Sequence, residues 1–272
     1  MTASEFSANP VLKIQNATLA YGDRTLWSDL SLEVQPHEFI AIIGANGSGK
    51  TALLRAILGQ AKLSAGEITL NSQKISSGSR RLGYIPQNRS FDIGVPLLAK
   101  DLVHLGLDGH KFGLALPSLK NRQAVAAALA CVDANHLSHK PIGELSGGEL
   151  QRIRVAQAVV GQPDLILADE PLSALDPNQQ QIVADLLDKE RREHNAAVLF
   201  VTHDVNPILP MVDRVLYLAN GKFKIGTPDE VLRSEVLSEL YGAPVDVLRN
   251  QGRIVVVGAS AEHDHHDHEE WI

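Results

Sequence analysis

The chain has 272 residues, 44% of them hydrophobic, which is enough for a sizeable core, and its single cysteine excludes an intramolecular disulfide. The formal net charge is -7 at pH 7, but segment 261–272 holds five acidic and no basic residues, so the other 260 residues carry only -2. This near-neutral body argues against a nucleic-acid-binding protein, which usually has a basic face.

The first ten residues, MTASEFSANP, lack the basic segment followed by an apolar one that marks a signal peptide. No apolar run approaches the roughly 18 residues that a membrane-spanning helix requires. The lone Cys131 fits a reducing compartment. We therefore expect a cytoplasmic protein that does not itself span a membrane.

Seven apolar runs bounded by turn residues predict strands, in chain order VLKIQNATL, FIAIIG, GEITL, RLGYIP, DLILAD, AAVLFVT and DRVLYLA. Helix-like stretches lie between several of them: TALLRAIL, NRQAVAAALACV, GELQRIRVAQAVV and PNQQQIVADLLDKERRE. Aromatic residues make up only 4% of the chain, so the core must be mainly aliphatic. Strands that alternate with helices predict an α/β fold, with a parallel sheet covered by helices on both faces.

Two segments depart from this alternation. The interval from about Ser90 to Glu144 has helix-like patches and no convincing strand, so we expect a helical insertion into the sheet domain. Near the C-terminus, VDVLRNQGRIVVVG alternates around a glycine-containing turn and predicts a β-hairpin.

Residues 44–51, GANGSGKT, match the phosphate-loop pattern between the strand FIAIIG and the helix TALLRAIL. Glycines let successive backbone N–H groups point at one spot, and the following helix adds the positive end of its dipole. We expect Lys50 to reach the β and γ phosphates of a nucleotide and Thr51 to ligate Mg²⁺. The alternative is a glycine-rich turn that carries a lysine by chance.

A pair of acids ends the strand in DLILADEP. Asp169 at the carboxyl end of this strand can hold the Mg²⁺ shell, and Glu170 can accept a proton from an attacking water. Adjacent acids in this position are costly unless they meet a cation. Alternatively, both carboxylates cap the next helix.

A second turn of small residues, LSGGELQR at 145–152, opens another helix. The hydroxyl of Ser146 and the N–H groups of Gly147 and Gly148 predict a second anion site at a helix N-terminus. Two phosphate-facing turns in one chain require an explanation.

The order GANGSGKT, YIPQ, LSGGE, LILADE, SALD and VTHD, over about residues 10–230, resembles the ATPase subunits of ATP-binding cassette (ABC) systems. The resemblance implies a P-loop NTPase fold, with a RecA-like core, an antiparallel β-subdomain and an inserted helical subdomain. It implies an ABC ATPase domain at 1–240 with the helical subdomain at about 88–150. A C-terminal β-hairpin extension at 241–260 and a His/Asp/Glu-rich disordered tail at 261–272 would follow.

The resemblance also explains the second anion site. It implies an ATPase that works as a head-to-tail homodimer, with each ATP held between the phosphate loop of one subunit and the LSGGE turn of the other. Tyr21 would stack on adenine, a role that suits an aromatic ring. The phosphates would be bound by Gly44, Ala45, Asn46, Gly47, Ser48, Gly49, Lys50, Thr51 and Ala52. The signature residues that face the other subunit's ATP would be Leu145, Ser146, Gly147, Gly148 and Glu149.

The catalytic residues implied by the resemblance are Lys50, Gln87, Glu170 and His203. Gln87 in YIPQ would contact Mg²⁺ or the attacking water, and His203 in VTHD would contact the γ phosphate. The Mg²⁺ ligands would be Thr51, Gln87 and Asp169, and Asp176 in SALD, the D-loop, would lie across the dimer interface. Taken singly, each of these residues can also have an ordinary structural role. Tyr21 can be a half-buried tyrosine, Gln87 a loop glutamine, Asp176 a helix cap and His203 a histidine at a strand end. Their shared order favours the catalytic interpretation.

Two positions depart from the family pattern. Ala52 stands where the family usually has a second hydroxyl residue, so one contact to the nucleotide phosphates is missing. Glu149 replaces the signature glutamine and places a negative charge near the second anion site, which should weaken phosphate attraction unless Arg152 or Arg154 offsets it. Neither change removes the base or the metal ligands, so we still expect hydrolysis.

The family resemblance implies a membrane permease as partner, a peripheral position at the cytoplasmic face of the membrane and, indirectly, an extracytoplasmic metal-binding protein. The LSGGELQR segment and the single compact ATPase domain resemble the zinc and manganese importer branch. The tail HDHHDHEE points the same way, because its four carboxylates and four imidazoles can bind Zn²⁺. These imidazoles belong to His263, His265, His266 and His268. We therefore expect zinc, and next manganese, as the cargo.

Alternatives to this function remain. The tail can be a merely solvated acidic segment or a remnant of cloning, and the cargo can be another one such as a metal chelate. A non-transport ABC ATPase that acts on DNA or ribosomes is a more distant alternative. It is disfavoured by the single cassette, the absence of sustained heptads and the lack of a basic body.

Overall fold

A computed structural model of the chain describes residues 9–22, 24–75, 78–87, 96–108 and 118–258. The strands are β1 (Leu12–Tyr21), β2 (Arg24–Val34), β3 (Phe39–Gly44), β4 (Ala65–Leu70), β5 (Gln73–Lys74), β6 (Leu82–Ile85), β7 (Leu165–Asp169), β8 (Ala197–Val201), β9 (Arg214–Ala219), β10 (Lys222–Gly226), β11 (Val245–Asn250) and β12 (Arg253–Gly258). The α-helices are α1 (Lys50–Ile57), α2 (Ala99–Asp108), α3 (Leu119–Cys131), α4 (Gly147–Val159), α5 (Pro177–His194), α6 (Pro228–Val231) and α7 (Ser234–Tyr241). In the described ranges, no helix combines the length and apolar character that crossing a membrane requires.

The central element is a six-stranded sheet in the order β10-β9-β3-β8-β7-β6. Five of these strands pair in parallel, and β10 is antiparallel to β9. Strands β7 and β8 are buried along their whole length, which matches their continuous apolar sequences. Two hydrophobic clusters cover the two faces of the sheet. The predicted α/β fold with a buried parallel sheet is confirmed.

A second, four-stranded antiparallel sheet has the order β2-β1-β4-β5, as the family resemblance implied. Its strand β2 is not among the seven predicted strands. The β1–β2 ladder contains several register shifts, and Asn16 and Asp29 have positive φ angles of 45° and 54°. These irregularities interrupt the alternation of apolar and polar residues by which a strand is recognised in a sequence.

Helices α2, α3 and α4 lie between β6 and β7 in the chain and belong to the larger hydrophobic cluster. The described residues of the interval 90–144 are helical or irregular, apart from one bridge between Leu98 and Pro141. Helices α2 and α4 approach closely at Gly106, where a Cβ atom would collide with the carbonyl oxygen of Gln157. The described part of this interval is therefore a helical insertion between two neighbouring strands of the sheet.

After α7 the chain forms a two-stranded hairpin of β11 and β12. Gln251 and Gly252 connect the strands and have φ angles of 48° and 78°, which suits a tight hairpin turn. One face of the hairpin buries Val245 and Ile254 in the larger hydrophobic cluster. The hairpin is thus packed against the core of the molecule.

Candidate functional site

The predicted phosphate loop connects β3 to α1. Its glycines Gly47 and Gly49 have φ angles of 74° and 97°, a region that side chains with a Cβ atom rarely adopt. A Cβ atom at Gly49 would also lie 2.9 Å from the indole of Trp27, which is fully buried. The loop therefore curls over a tryptophan that the sequence analysis did not single out.

Lys50 is buried within this loop, with 6% of its surface exposed. Its Nζ donates hydrogen bonds to the carbonyl oxygens of Gly44 at 2.8 Å and Ala45 at 3.0 Å. Burial lowers the pKa of Lys50, and the charges of Glu170 and Asp169 oppose that shift. A phosphate held by the loop would therefore meet a buried cation.

Thr51 and Asp169 lie together, as the sequence predicts for a pair of Mg²⁺ ligands. The Thr51 hydroxyl donates a hydrogen bond to Asp169 Oδ1 at 3.2 Å. Burial raises the pKa of Asp169, while the hydrogen bond from Thr51 and the charges of Arg55 and Lys50 lower it. A hydroxyl and a carboxylate are the hard oxygen ligands that Mg²⁺ prefers, so these two residues fit that ion.

Gln87, Glu170 and His203 follow the neighbouring strands β6, β7 and β8 and meet at the carboxyl edge of the sheet. Gln87 Nε2 donates a hydrogen bond to Glu170 Oε2 at 3.2 Å, and His203 Nδ1 lies 3.9 Å from the same oxygen. Glu170 has a φ angle of 47°, which is uncommon for a residue with a side chain. Such a backbone conformation is often found at active sites.

Two cavities lie at this edge of the sheet. One of about 230 Å³ is lined by the phosphate loop and by Arg24, whose Nη2 donates a hydrogen bond to the Gly47 carbonyl at 3.4 Å. Tyr21 pairs with Arg24 across the β1–β2 ladder and is 53% exposed. The other cavity, of about 140 Å³, is lined by Glu170 and His203 among others. Among the described residues that line these two cavities, none belongs to the LSGGE segment.

The LSGGE segment forms the start of α4. Ser146 is the N-cap of this helix: its hydroxyl accepts a hydrogen bond from the Glu149 N–H at 3.3 Å, and Glu149 Oε2 accepts one from the Ser146 N–H at 2.7 Å. A Cβ atom at Gly147 would face open space, whereas one at Gly148 would meet the side chain of Gln179. Ser146 and Gly147 are thus exposed at a helix N-terminus, where an anion is favoured.

Lys140 offsets the charge of Glu149, a role the sequence analysis reserved for Arg152 or Arg154. Its Nζ lies 3.3 Å from Glu149 Oε2. The backbone N–H of Ser146 contributes most to lowering the pKa of Glu149, and Lys140 lowers it further. Arg152 donates instead to the carbonyl oxygen of Asp133, and Arg154 is buried.

The remaining predicted residues are found in different settings. Asp176 is the N-cap of α5 and accepts a hydrogen bond from the Gln179 N–H, so its carboxylate has the capping role considered as an alternative. Ala52 packs against the smaller hydrophobic cluster, and Leu145 packs against the larger one. The tail histidines His263, His265, His266 and His268 lie outside the described residues. Within the residues that are described, no cluster of three or more His, Cys, Asp or Glu side chains is arranged to hold a metal ion.

Replacement of Glu149 by Gln tests the effect of its charge on ATP binding. A glutamine can still accept the hydrogen bond from Ser146, so the capping box remains. Removal of the negative charge at a helix N-terminus should lower the KM for ATP by about two- to fivefold in steady-state assays. Glu235→Gln makes the same change at the start of α7 and should leave the KM unchanged. An unchanged or higher KM in Glu149→Gln would contradict this expectation.

Phosphate-loop geometry, a strand-end Asp–Glu pair and a parallel sheet together define the class of P-loop nucleotide hydrolases. The ABC transporter family matches residues 27–173, which is more than half of the chain, and the chain belongs to that family. It is therefore an ATPase, and ATP and Mg²⁺ are its cofactors, as they are for ABC ATPases in general.

Solved structures support this assignment. The chain is 28% identical to a protein described as an inward-facing ABC transporter assigned to the metal-chelate type, with a TM-score of 0.78 over 93% of this chain and 99% of that one. It is 25% identical to cbiO1 of Clostridium perfringens, part of the ABC transporter complex cbiONQ, with a TM-score of 0.71 over 85% and 94% of the two chains. The ADP conformation of the ATP-binding cassette MJ1267 shares the fold at 19% identity, with a TM-score of 0.70 over 86% and 95%.

Proposed function

We propose that two copies of this chain form the ATPase pair of an importer that moves a transition metal ion through a separate membrane permease, zinc first and manganese next. The observation that carries the ATPase part is the meeting of Gln87, Glu170 and His203 beside the phosphate loop. We assign the ATPase domain to residues 1–240, with the helical subdomain at about 88–150, the hairpin extension to 241–260 and the tail to 261–272.

Hydrolysis at this site needs positioning and charge stabilisation more than covalent chemistry. In our proposal Lys50 and the loop N–H groups bind the β and γ phosphates. Thr51 and Asp169 would hold Mg²⁺, and the ion would supply positive charge at those phosphates. Glu170 accepts the proton of the attacking water, while Gln87 and His203 fix the position of that carboxylate and of the γ phosphate. Tyr21 is exposed and pairs with Arg24, which lines the cavity at the phosphate loop. Its ring would stack on adenine.

The position of the signature turn supports the proposed homodimer. Ser146 and Gly147 are exposed and do not line the cavity at the phosphate loop of their own chain, within its described residues. A second copy, placed head to tail, can bring its own signature turn to that loop. Each ATP would then be held between two subunits, and Asp176 would lie near their shared interface.

ABC ATPase subunits work with membrane permease partners, and a groove on this chain offers a docking place. The groove has a volume of about 470 Å³ and lies beside the edge strand β6, between the sheet and α2 and α4. Leu105 of α2 lines it with 47% of its surface exposed. We propose that a cytoplasmic helix of the permease occupies this groove and keeps the ATPase at the cytoplasmic face of the membrane.

Leu105→Arg tests the docking groove. The substitution should abolish copurification of the permease from detergent-solubilised membranes, because a buried unpaired charge in the interface costs several kcal/mol. Turnover by the isolated ATPase should stay within about twofold of wild type, because Leu105 is exposed. Leu119→Arg, on the 73% exposed Leu119 of α3, is the matched control and should retain the permease. Equal retention by both variants would argue against this groove.

Two observations favour a metal cargo. The tail has four histidines and four carboxylates in eight consecutive residues, a composition that binds Zn²⁺ and accepts Mn²⁺. The chain is also similar over nearly its whole length to a protein of the metal-chelate type. That similarity favours a second candidate function, the import of a metal chelate, in which an extracytoplasmic binding protein would deliver the chelate instead of the ion.

Total cellular zinc, manganese and iron, measured by elemental mass spectrometry under metal limitation, tests the cargo. Cells that carry Glu170→Gln should show a selective fall in zinc compared with wild type. A fall that appears only when the metal is supplied as a chelate would favour the second candidate. No change in any of the three metals would contradict metal import.

A further inference from the structure

The loop that follows β8 carries His203 and is shaped by its own side chains. Thr202 Oγ1 donates a hydrogen bond to the Asp204 carbonyl at 2.7 Å and accepts one from the Asp204 N–H at 3.1 Å. Asp204 Oδ1 in turn accepts a hydrogen bond from the Asn206 N–H at 2.9 Å. The backbone on both sides of His203 is therefore fixed by this short network.

Asn206 connects the loop to the C-terminal hairpin. Its Nδ2 donates to Asp204 Oδ1 at 2.7 Å and to the Ile254 carbonyl at 2.9 Å, and its Oδ1 accepts the Ile254 N–H at 2.8 Å. Both amide protons and the amide oxygen are thus used. The side chain pairs with β12 as another strand would, although it belongs to a loop 48 residues earlier in the chain.

Apolar packing accompanies these hydrogen bonds. Val205 and Ile208 of the loop and Ile254 of β12 are all buried in the larger hydrophobic cluster. The hairpin also has a separate attachment to α7, where Ser234 Oγ accepts the Val247 N–H at 2.9 Å. Ser238 Oγ accepts the Val245 N–H, and Arg249 donates to Asp229, so the contact through Asn206 can be removed while the hairpin keeps these other attachments.

His203 depends on the loop for its position. Its side chain is 67% exposed, and its 3.9 Å approach to Glu170 Oε2 is longer than a hydrogen bond. Because the His203 ring has few contacts of its own, the position of the ring depends mainly on the backbone of the loop. Displacement of about 1 Å in a catalytic group can lower a rate by about a hundredfold.

We propose that Asn206 is a positioning residue for ATP hydrolysis, through which the C-terminal hairpin holds the loop of His203 in place. This inference rests on the role proposed above for His203. It assigns the hairpin a part in turnover, in addition to its packing on the core.

Steady-state ATPase assays of the full-length chain test this role. Asn206→Ala should lower kcat by about tenfold and leave the KM for ATP within about twofold, because Asn206 does not contact the nucleotide loop. Ser234→Ala removes a hydrogen bond from the same hairpin at its attachment to α7 and should leave kcat within about twofold. Thermal melting of both variants shows whether their losses of stability are similar. An unchanged kcat in Asn206→Ala would overturn the proposal. An equal fall in kcat in Asn206→Ala and Ser234→Ala would overturn it as well.

A double-mutant cycle with His203→Ala separates positioning from a general structural role. If Asn206 acts through His203, the double variant should have the same kcat as His203→Ala alone. Losses that multiply would overturn the inference and leave the proposed role of His203 intact. An unchanged kcat in His203→Ala would instead contradict the proposed role of His203 and the inference with it. Asn206→Asp, which keeps the acceptor and loses both donors, should also lower kcat and serves if Asn206→Ala does not fold.

Discussion

Glu170→Gln is expected to lower the kcat of ATP hydrolysis by about a hundred- to ten-thousandfold and to leave Mg²⁺-dependent ATP binding intact. The amide keeps the shape of the carboxylate and can still bond to Gln87, but it cannot accept a proton from water. Residue 170 also has an unusual backbone conformation, and glutamate and glutamine should tolerate it equally well. The substitution therefore removes the chemistry with little change in structure.

Phosphate release measured with the purified chain, together with equilibrium ATP binding, checks this expectation. Glu67→Gln is the matched control, because it makes the same substitution at an exposed position of β4 in the antiparallel sheet. Turnover near that of wild type in Glu170→Gln would assign the base to another residue. Loss of ATP binding would show that the carboxylate is needed to bind the nucleotide.

Lys50→Met is expected to weaken ATP binding by about a hundredfold or more, equivalent to about 2.7 kcal/mol. The ammonium group would form charge-assisted hydrogen bonds with phosphate oxygens, and methionine offers none.

The free energy of unfolding should not fall in Lys50→Met, although ATP binding does. Burial lowers the pKa of Lys50, so the charged lysine costs the folded state free energy at neutral pH, and a rise in pH towards the ordinary value of 10.5 relieves that cost.

Trp27 provides a direct readout of binding at the loop, because its indole packs beneath Gly49. The chain has two tryptophans, so Trp271→Phe leaves Trp27 as the only one, and its fluorescence should change when ATP is titrated. Urea unfolding should give Lys50→Met a free energy of unfolding at least equal to that of the parent. Lys62→Met changes an exposed lysine after α1 and should bind ATP normally. Equal affinity for ATP in Lys50→Met and Lys62→Met would show that Lys50 does not contribute to nucleotide binding.

Much of the site is predictable from sequence because local patterns determine it. Glycines at 47 and 49 fix a backbone path that other residues avoid, so the phosphate loop can be identified from its spacing. Gln87, Glu170 and His203 follow strands of one parallel sheet, and the carboxyl ends of such strands meet at one edge. The buried parallel strands themselves are marked by continuous apolar runs.

The contacts that sequence reasoning missed join residues far apart in the chain. Trp27 supports the phosphate loop from β2, a strand whose pattern is broken by bulges. Lys140 is nine residues from Glu149, across an irregular segment, and Asn206 is 48 residues from Ile254. An exposed lysine or a loop asparagine has no local signal that names its partner. Packing of the hairpin and of α4 decides these contacts, and a single sequence does not contain that geometry.

Two copies of this chain share each ATP in the proposed dimer, and mixing two inactive variants tests this sharing most directly. Lys50→Met disables the phosphate loop, and Gly147→Glu places a bulky negative charge at the signature turn without a clash inside its own chain. In an equimolar mixture half of the dimers pair the two variants, and each such dimer has one intact site, so about a quarter of wild-type ATPase activity should return. Activity that stays at the level of the separate variants would contradict a site shared between two subunits.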